Sequence, residues 1–327
     1  MKICIYGAGA IGGYIAAQLA MTDAVEITCI ARGPHLKAIR SRGLTLIKDG
    51  EEKVFQIKCV ENPDELGPQD YVIITLKAHS AALISDQMKP LFGPQTAVVT
   101  AQNGVPWWYF YNYDGSLKGT RLSTVDPWGR QWDFIGPDRV IGCVVYPAAK
   151  IIKPGVIVHE YGNRLSLGEP SGEKTERVKE LSSILAQANF RAPVRPRIRD
   201  EIWIKLWGNV SLNPVSALTG GTLAQMIDNP GVHKVIRDLM VEAQAVGEAL
   251  GVRFAVDVDK RIAGAREVGN HKTSMLQDLE LGRPMEIDAI VSSVQELARL
   301  AGVATPLIDS VLALVKSRAR LSGCYAD

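Results

Sequence analysis

A glycine pattern in the first dozen residues constrains this chain more than any other feature. Gly7-Ala8-Gly9-Ala10-Ile11-Gly12 follows the apolar run Lys2–Tyr6 (KICIY) and opens the segment Ile11–Met21, which has helical periodicity. A strand, a G-x-G-x-x-G turn and a helix in that order form the entry to a dinucleotide-binding βαβ unit. The glycines permit the tight turn, close backbone approach to a pyrophosphate and close helix–strand packing, and the helix N-terminus offers N–H donors to phosphate. A plain glycine-rich βα turn is the competing reading. A second strand on cue, Glu26–Ala31 (EITCIA), favours the dinucleotide.

Further near-continuous apolar runs, Tyr71–Leu76 (YVIITL) and Thr96–Ala101 (TAVVTA), suit a parallel sheet covered on both faces. From Val140 to Leu167 short strand-like runs are separated by Pro and Gly, which predicts hairpins or a meander closing that sheet. Thr175–Ala188 reads as a helix, and Phe190–Arg199 as a strand and linker. Beyond Ile198 the periodicity is helical: a long apolar stretch to Leu218, Val232–Leu250 opened by Asn229 and Pro230, Asp288–Leu300, and Pro306–Leu321. The expected fold class is an α/β Rossmann-type dinucleotide-binding domain over residues 1–197, followed by an all-α domain over 198–327. A chain of 327 residues has room for two domains of average size.

Composition narrows the function classes. With 46% hydrophobic, 22% charged and 6% aromatic residues, the chain holds enough apolar material for a sizeable core, which excludes disorder and fibre. Thirty-seven basic against 35 acidic residues leave a formal charge of +2 and no long basic run, so no nucleic-acid partner is expected. Cys4, Cys29, Cys59, Cys143 and Cys324 are scattered without a C-x-x-C, unlike a disulfide framework or a zinc site, and no metal is expected. No run of ~18 apolar residues and no basic leader with a cleavage site is present. The expectation is a cytoplasmic protein with no membrane partner, in a reducing compartment.

Where an NAD enzyme would offer Asp or Glu to the ribose at the end of the second strand, this chain has Arg32. A guanidinium suits bidentate contact with a 2′-phosphate, so NADPH is expected over NADH; a solvated loop arginine is the alternative. Lys77, just past YVIITL, is either a second cation for the adenosine end or a surface lysine. Asn103, in Gln102-Asn103-Gly104 directly after TAVVTA, is placed for the nicotinamide ribose or the substrate, or belongs to a plain Asn-Gly turn.

Asp200–Leu218 (DEIWIKLWGNVSLNPVSAL) is apolar nearly all round, as a buried helix is, except for Lys205, Asn209, Asn213 and Ser216 within one arc of ~80°. Unpaired polar groups on a buried helix cost ~1–3 kcal/mol each and a charge more, so the stripe faces either a pocket or a buried network. Pro214 is expected to kink the helix. Pro284 reads as a helix start, with Glu286 and Asp288 in or before its first turn as site carboxylates or plain helix-start acids, and Ser274 or Thr273 as a site residue or only an N-cap.

Four segments together resemble the ketopantoate reductase (2-dehydropantoate 2-reductase) family: GAGAIG, QNG at Gln102–Gly104, EIWIKLWGNVSLNPVSAL, and SMLQDLELGRPMEID over Ser274–Asp288. The resemblance spans both halves and implies NADPH-dependent reduction of ketopantoate to pantoate in pantothenate biosynthesis. It further implies that Lys205 is the general acid and that Glu286 hydrogen-bonds the substrate hydroxyl and helps place the lysine. Asn103, Asn209, Asn213 and Ser274 would hold the substrate, while Arg32 and Lys77 would bind the adenosine phosphate. Asp278 matches a family position near the site, with no role assigned. The chemistry agrees: hydride addition to a ketone leaves an alkoxide, which a lysine on an apolar helix can protonate.

Two departures bear on the substrate. The segment after Gly104 (VPWWYFYNYDG, then PWGRQW from Pro127) is longer and more aromatic than the family's usual connection, and Val291-Ser292 stand where the family commonly has Asn-Gly. The aromatics either cap or reshape the site for a bulkier 2-oxo acid, or pack a subunit interface. Leu300, Val311, Leu312 and Val315 serve either the core or a homodimer contact. A non-catalytic NADPH-binding sensor is the alternative outside enzymology.

Overall fold

The computed structural model describes residues 1–22 and 24–325. The chain forms two compact units. Met1–Gln102, Trp107–Arg121 and Asp126–Ile198 make the first; Asn103–Pro106, Leu122–Val125 and Arg199–Asp327 make the second. A linear division at residue 197/198 is the expectation from sequence, whereas here two short segments of the first half group with the helical unit.

In the first unit the elements are β1 (Lys2–Tyr6), α1 (Ala10–Leu19), β2 (Glu26–Ile30), α2 (Gly33–Arg42), β3 (Leu44–Lys48), β4 (Glu51–Phe55), β5 (Lys58–Val60), β6 (Gln69–Ile74), α3 (Ala78–Leu83), β7 (Phe92–Thr100), α4 (Arg130–Phe134), β8 (Val140–Val145), β9 (Ala148–Lys153), β10 (Val156–Tyr161), β11 (Leu165–Gly168) and α5 (Glu176–Gln187). Seven strands form one sheet in the order β11-β8-β7-β6-β1-β2-β5, parallel except for β11, which runs antiparallel to β8. Strand order reverses between β1 and β6, and ligands of open α/β sheets bind at such a switch point, beyond the carboxyl ends of the strands. The expected α/β dinucleotide-binding architecture is present.

The predicted meander closing this sheet is only half right. β8 and β11 join the main sheet, but β9 and β10 pair with β3 and β4 in a second, four-stranded sheet of order β4-β3-β10-β9. The second sheet forms because α1 is apolar on all sides. Eight of its ten residues are buried, and it contacts β1 and β2 on one side and β3, β9 and β10 on the other. A Cβ at Gly13 would lie 2.8 Å from Ile157 Cγ1, so a glycine is what lets helix and second sheet approach so closely. The expected strand over Phe190–Arg199 is reduced to isolated bridges at Arg191 and Val194, because Pro193 and Pro196 deprive a ladder of donors.

The first run of the aromatic segment, Trp107–Phe110, is core of the first unit rather than a lid or a subunit interface. Trp107, Trp108, Tyr109 and Phe110 are all buried. Trp108 donates its indole N–H to Thr100 Oγ1 (2.9 Å), and its ring lies against Gly142 of β8. Trp132 packs edge-on to Trp107 at 6.1 Å. Trp128 alone of the tryptophans is largely exposed.

The second unit is helical, built around α6 (Ile198–Thr219), with α7 (Leu223–Asp228), α8 (Pro230–Ala249), α9 (Val258–Glu267), α10 (Ser274–Glu280), α11 (Ser293–Ala301) and α12 (Pro306–Leu321). Helix α6 continues through Pro214. Its Trp203 and Trp207 are fully buried against Phe254, and Trp207 Nε1 donates to the Met240 carbonyl of α8 (2.6 Å). Asn229 caps α8 as expected, accepting from the Gly231 and Val232 amides. Glu242 of α8 accepts the Leu307 and Ile308 amides (both 2.9 Å), so one carboxylate caps α12 and ties it to α8. Val311, Leu312 and Val315 belong to this core, while Leu300 is partly exposed. Pro284 does not open a helix: residues 283–286 are irregular, and a π-helical turn, Asp288–Ser292, leads into α11. All five cysteines are buried and outside any disulfide, and among the described residues no helix is long and apolar enough to cross a membrane.

Candidate functional site

The glycine loop of the first unit divides its three tasks among three glycines. Gly7 has φ +104°, a left-handed backbone in which a side chain is strained. Gly12 must lack a Cβ, because one would overlap the Gly7 carbonyl oxygen and Thr75 Oγ1. At Gly9 no atom lies closer than 4.0 Å to where a Cβ would be, so the backbone there is open to a ligand. The Gly7 and Ala8 amides are committed to the Ile30 carbonyl (3.1 and 3.0 Å), which fastens the loop to β2. Gly9 is the N-cap of α1 and no side chain caps the helix, so the first-turn amides of Ala10, Ile11 and Gly12 have no intrahelical acceptor. An open approach at Gly9 beside these N–H groups at a helix N-terminus fits a pyrophosphate.

Beside the loop is a cavity of about 250 Å³, lined by Tyr6, Gly7, Ala8 and Gly9, by Ile30, Ala31, Arg32 and His35, and by Glu61, Leu76, Ser80, Ile84, Gln87 and Ile151. Arg32 is exposed and immediately precedes α2. Lys77 is half-buried at the N-cap of α3, next to Leu76 in the chain but outside the lining.

His35 was not singled out from sequence. The run Arg32-Gly33-Pro34-His35, a proline-marked helix start just past β2, is the signal that would have found it. His35 Nδ1 accepts the Gly155 amide at 3.0 Å, and Nε2 is buried without a partner. Burial holds its pKa below the ordinary histidine value of 6.5, only partly offset by the nearby Ala8 backbone. Between the unfolded and folded values the unfolded chain binds the proton and the folded one does not, so stability falls as pH drops below about 6.5. His35→Asn should flatten that slope, which for one proton is at most about 1.4 kcal/mol per pH unit. Denaturant unfolding of both proteins between pH 7.5 and 5.5 checks this; identical slopes would remove His35 as the cause.

In the second unit three sequence-predicted residues are brought together. Lys205 Nζ donates to Asn103 Oδ1 at 2.7 Å, and Asn103 Nδ2 donates to Glu286 Oε2 at 3.2 Å. The partners settle the amide's orientation, since only its oxygen can face an ammonium and only its nitrogen a carboxylate. All three side chains are half-buried. Lys205 projects from α6, Glu286 is the second residue before the π-helical turn, and Asn103 comes from a loop that belongs to this unit.

That loop is held tightly. Gly104 has φ +88°, and a Cβ there would overlap the Ala289 carbonyl; the Val105 amide donates to the same carbonyl at 2.8 Å. The Ser123 and Thr124 amides, in the other segment that joins this unit, are held by the Glu296 carboxylate (2.9 and 3.0 Å).

Asn209 and Asn213 follow Lys205 on α6 at four-residue spacing, half-buried and buried respectively, and among the described residues neither side chain makes a hydrogen bond. Ser216 does not join the stripe, because its hydroxyl donates to the Gly221 carbonyl (2.9 Å). Thr273 is the N-cap of α10, accepting from the Leu276 amide at 3.2 Å, and Ser274 is the exposed first helical residue with no bond to the Lys205 network. An ammonium held by an amide that also touches a carboxylate can deliver a proton to an oxyanion and hydrogen-bond the resulting hydroxyl.

Residues 3–108 match the family model described as ketopantoate reductase PanE/ApbA, and residues 197–319 match the model of its C-terminal part. A 2-dehydropantoate 2-reductase of Mesorhizobium japonicum is 58% identical over 326 residues, covering 100% of both chains. Among solved structures, a protein of Ralstonia solanacearum assigned as a ketopantoate reductase is 41% identical, with a TM-score of 0.95 and 99% of each chain covered. A 2-dehydropantoate 2-reductase of Geobacter metallireducens is 26% identical, with a TM-score of 0.85 and 97% and 99% covered.

Proposed function

The chain belongs to the ketopantoate reductase family, and we propose that it reduces 2-dehydropantoate to pantoate with NADPH, in pantothenate biosynthesis. The hydrogen-bonded line Lys205–Asn103–Glu286 carries this reading. When bound, NADPH supplies the hydride that adds to the carbonyl carbon. As the C–O double bond breaks, the carbonyl oxygen takes a proton from Lys205 Nζ, leaving a neutral amine that solvent reprotonates. Glu286 accepts a hydrogen bond from the new hydroxyl, and Asn103 holds the ammonium where the oxygen develops charge. Asn209, Asn213 and Ser274 supply donors for the substrate carboxylate and hydroxyl. Their four-residue spacing after Lys205 along α6 supports this for Asn209 and Asn213, because it puts the two amides on the helix face that carries the lysine.

The glycine loop, with the first-turn amides of Ala10, Ile11 and Gly12, would hold the pyrophosphate. Arg32, at the cavity, would select the 2′-phosphate, with Lys77 as a second cation near the adenosine end. Arg32→Ala is expected to raise KM for NADPH about 10- to 150-fold more than KM for NADH, the range of one charged hydrogen bond. Equal changes for both dinucleotides would remove Arg32 from phosphate recognition. Five cysteines outside any disulfide support a cytoplasmic setting.

The test of the whole reading is NADPH oxidation by the purified protein over ketopantoate and a panel of smaller, bulkier and aromatic 2-oxo acids, repeated with NADH. Ketopantoate with NADPH should give the highest kcat/KM. A different best acid would overturn the substrate, and cofactor binding without any turnover would point to a sensor.

A further inference from the structure

Glu286 ends an irregular stretch, residues 283–286, so no helix or strand ladder holds its backbone. Contacts from the far end of the chain do so instead. On one side the Met285 amide donates to the Cys324 carbonyl at 2.9 Å. On the other, Asp288 receives Tyr325 Oη on both carboxylate oxygens (3.0 and 2.9 Å), Lys316 Nζ at 2.9 Å and Ser292 Oγ at 2.6 Å.

A carboxylate at a helix start ordinarily caps backbone amides. Asp288 makes no such bond, and its contacts go to three side chains. The tail is built to reach it. Gly323, with φ +67°, ends α12 in a left-handed turn; the Cys324 amide returns to the Ala319 carbonyl (2.8 Å), and Cys324 is wholly buried. Lys316 and Arg320, one turn apart, lie 5.1 and 5.4 Å from the Tyr325 ring, a cation–π clasp that orients its hydroxyl.

We infer that Tyr325 is a positioning residue for Glu286, acting through Asp288 while Cys324 holds the preceding amide. The inference rests on the reading of Glu286 given under Proposed function. Burial raises the Tyr325 pKa, so its hydroxyl keeps its proton and stays a donor at neutral pH.

Tyr325→Phe removes one oxygen and keeps the ring on its two cations. It should lower kcat/KM for ketopantoate about tenfold, the low end for a hydrogen bond to a charged group, with the Kd for NADPH unchanged. In a Glu286→Gln background the same substitution should bring no further loss, which a general structural role would not produce. Lys316→Met should act in the same direction. A loss under about twofold, or an equal loss in both backgrounds, overturns the inference. If the unsubstituted enzyme does not turn over ketopantoate, the functional reading itself has failed. Hydrogen exchange then decides the latch: faster exchange over residues 285–292 in Tyr325→Phe supports it, and unchanged exchange there overturns it.

Discussion

Lys205→Ala is expected to lower kcat for ketopantoate reduction by a factor of ~10²–10⁴ while the Kd for NADPH changes less than about threefold. The magnitude follows from the proposed role of the side chain as proton donor. Without it the reaction would form a bare alkoxide in a half-buried site, with water as a poorly placed substitute. The selectivity follows from the division of roles, since the backbone amides of the glycine loop and the α1 N-terminus, not Lys205, are the proposed hold on the pyrophosphate. Loss of the ammonium also frees Asn103 Oδ1, so the remaining Asn103–Glu286 bond loses its second anchor. Lys205→Arg should restore little, because a guanidinium does not give up its proton. Single-turnover kinetics with NADPH in excess would isolate the chemical step; a rate within about threefold of the unsubstituted enzyme would make Lys205 structural.

Gly104→Ala is the second large effect, and it acts through the backbone rather than by removing a functional group. With φ at +88° an L side chain is strained, and the added Cβ overlaps the Ala289 carbonyl that also accepts the Val105 amide. Either the Asn103 loop or the π-helical turn must give way. The expected cost is about 2–4 kcal/mol of stability, from backbone strain and one lost buried hydrogen bond. Asn103 shifts with the loop, and a displacement of about 1 Å at a positioned group can cost 10²-fold in rate. Chemical denaturation and kcat/KM should therefore both fall while the Kd for NADPH holds. Unimpaired turnover in a destabilised protein would separate Gly104 from the placement of Asn103.

The parts of this fold legible in the sequence are those whose signals are local. The strand, glycine turn, helix and second strand all lie within the first 30 residues, and the stripe of Lys205, Asn209 and Asn213 follows from helical period alone. The second sheet has no such signal. Thr45 pairs with Val156 across more than a hundred residues, and Glu51–Phe55 (EEKVF) is a mostly exposed strand without an apolar face. The run Trp107–Phe110 was ambiguous for a related reason: aromatic composition reads the same in a lid, an interface or a core, and only the partners, such as Thr100 and Gly142, decide. Glu286 was reached by resemblance rather than pattern, and Tyr325, a lone aromatic near the end of the chain, carried no signal at all.

The two short segments that change sides have a consequence for inheritance. Asn103 is encoded among the residues of the first half but belongs with Lys205 and Glu286. A genetic crossover near residue 198, the natural seam by length and texture, would therefore unite the bridging amide of one parent with the lysine and carboxylate of the other. Fragments separated at that seam would leave the helical half with its lysine and its carboxylate but without the residue that joins them. Chimaeras of this protein should be designed with residues 103–106 and 122–125 travelling with the carboxyl-terminal half.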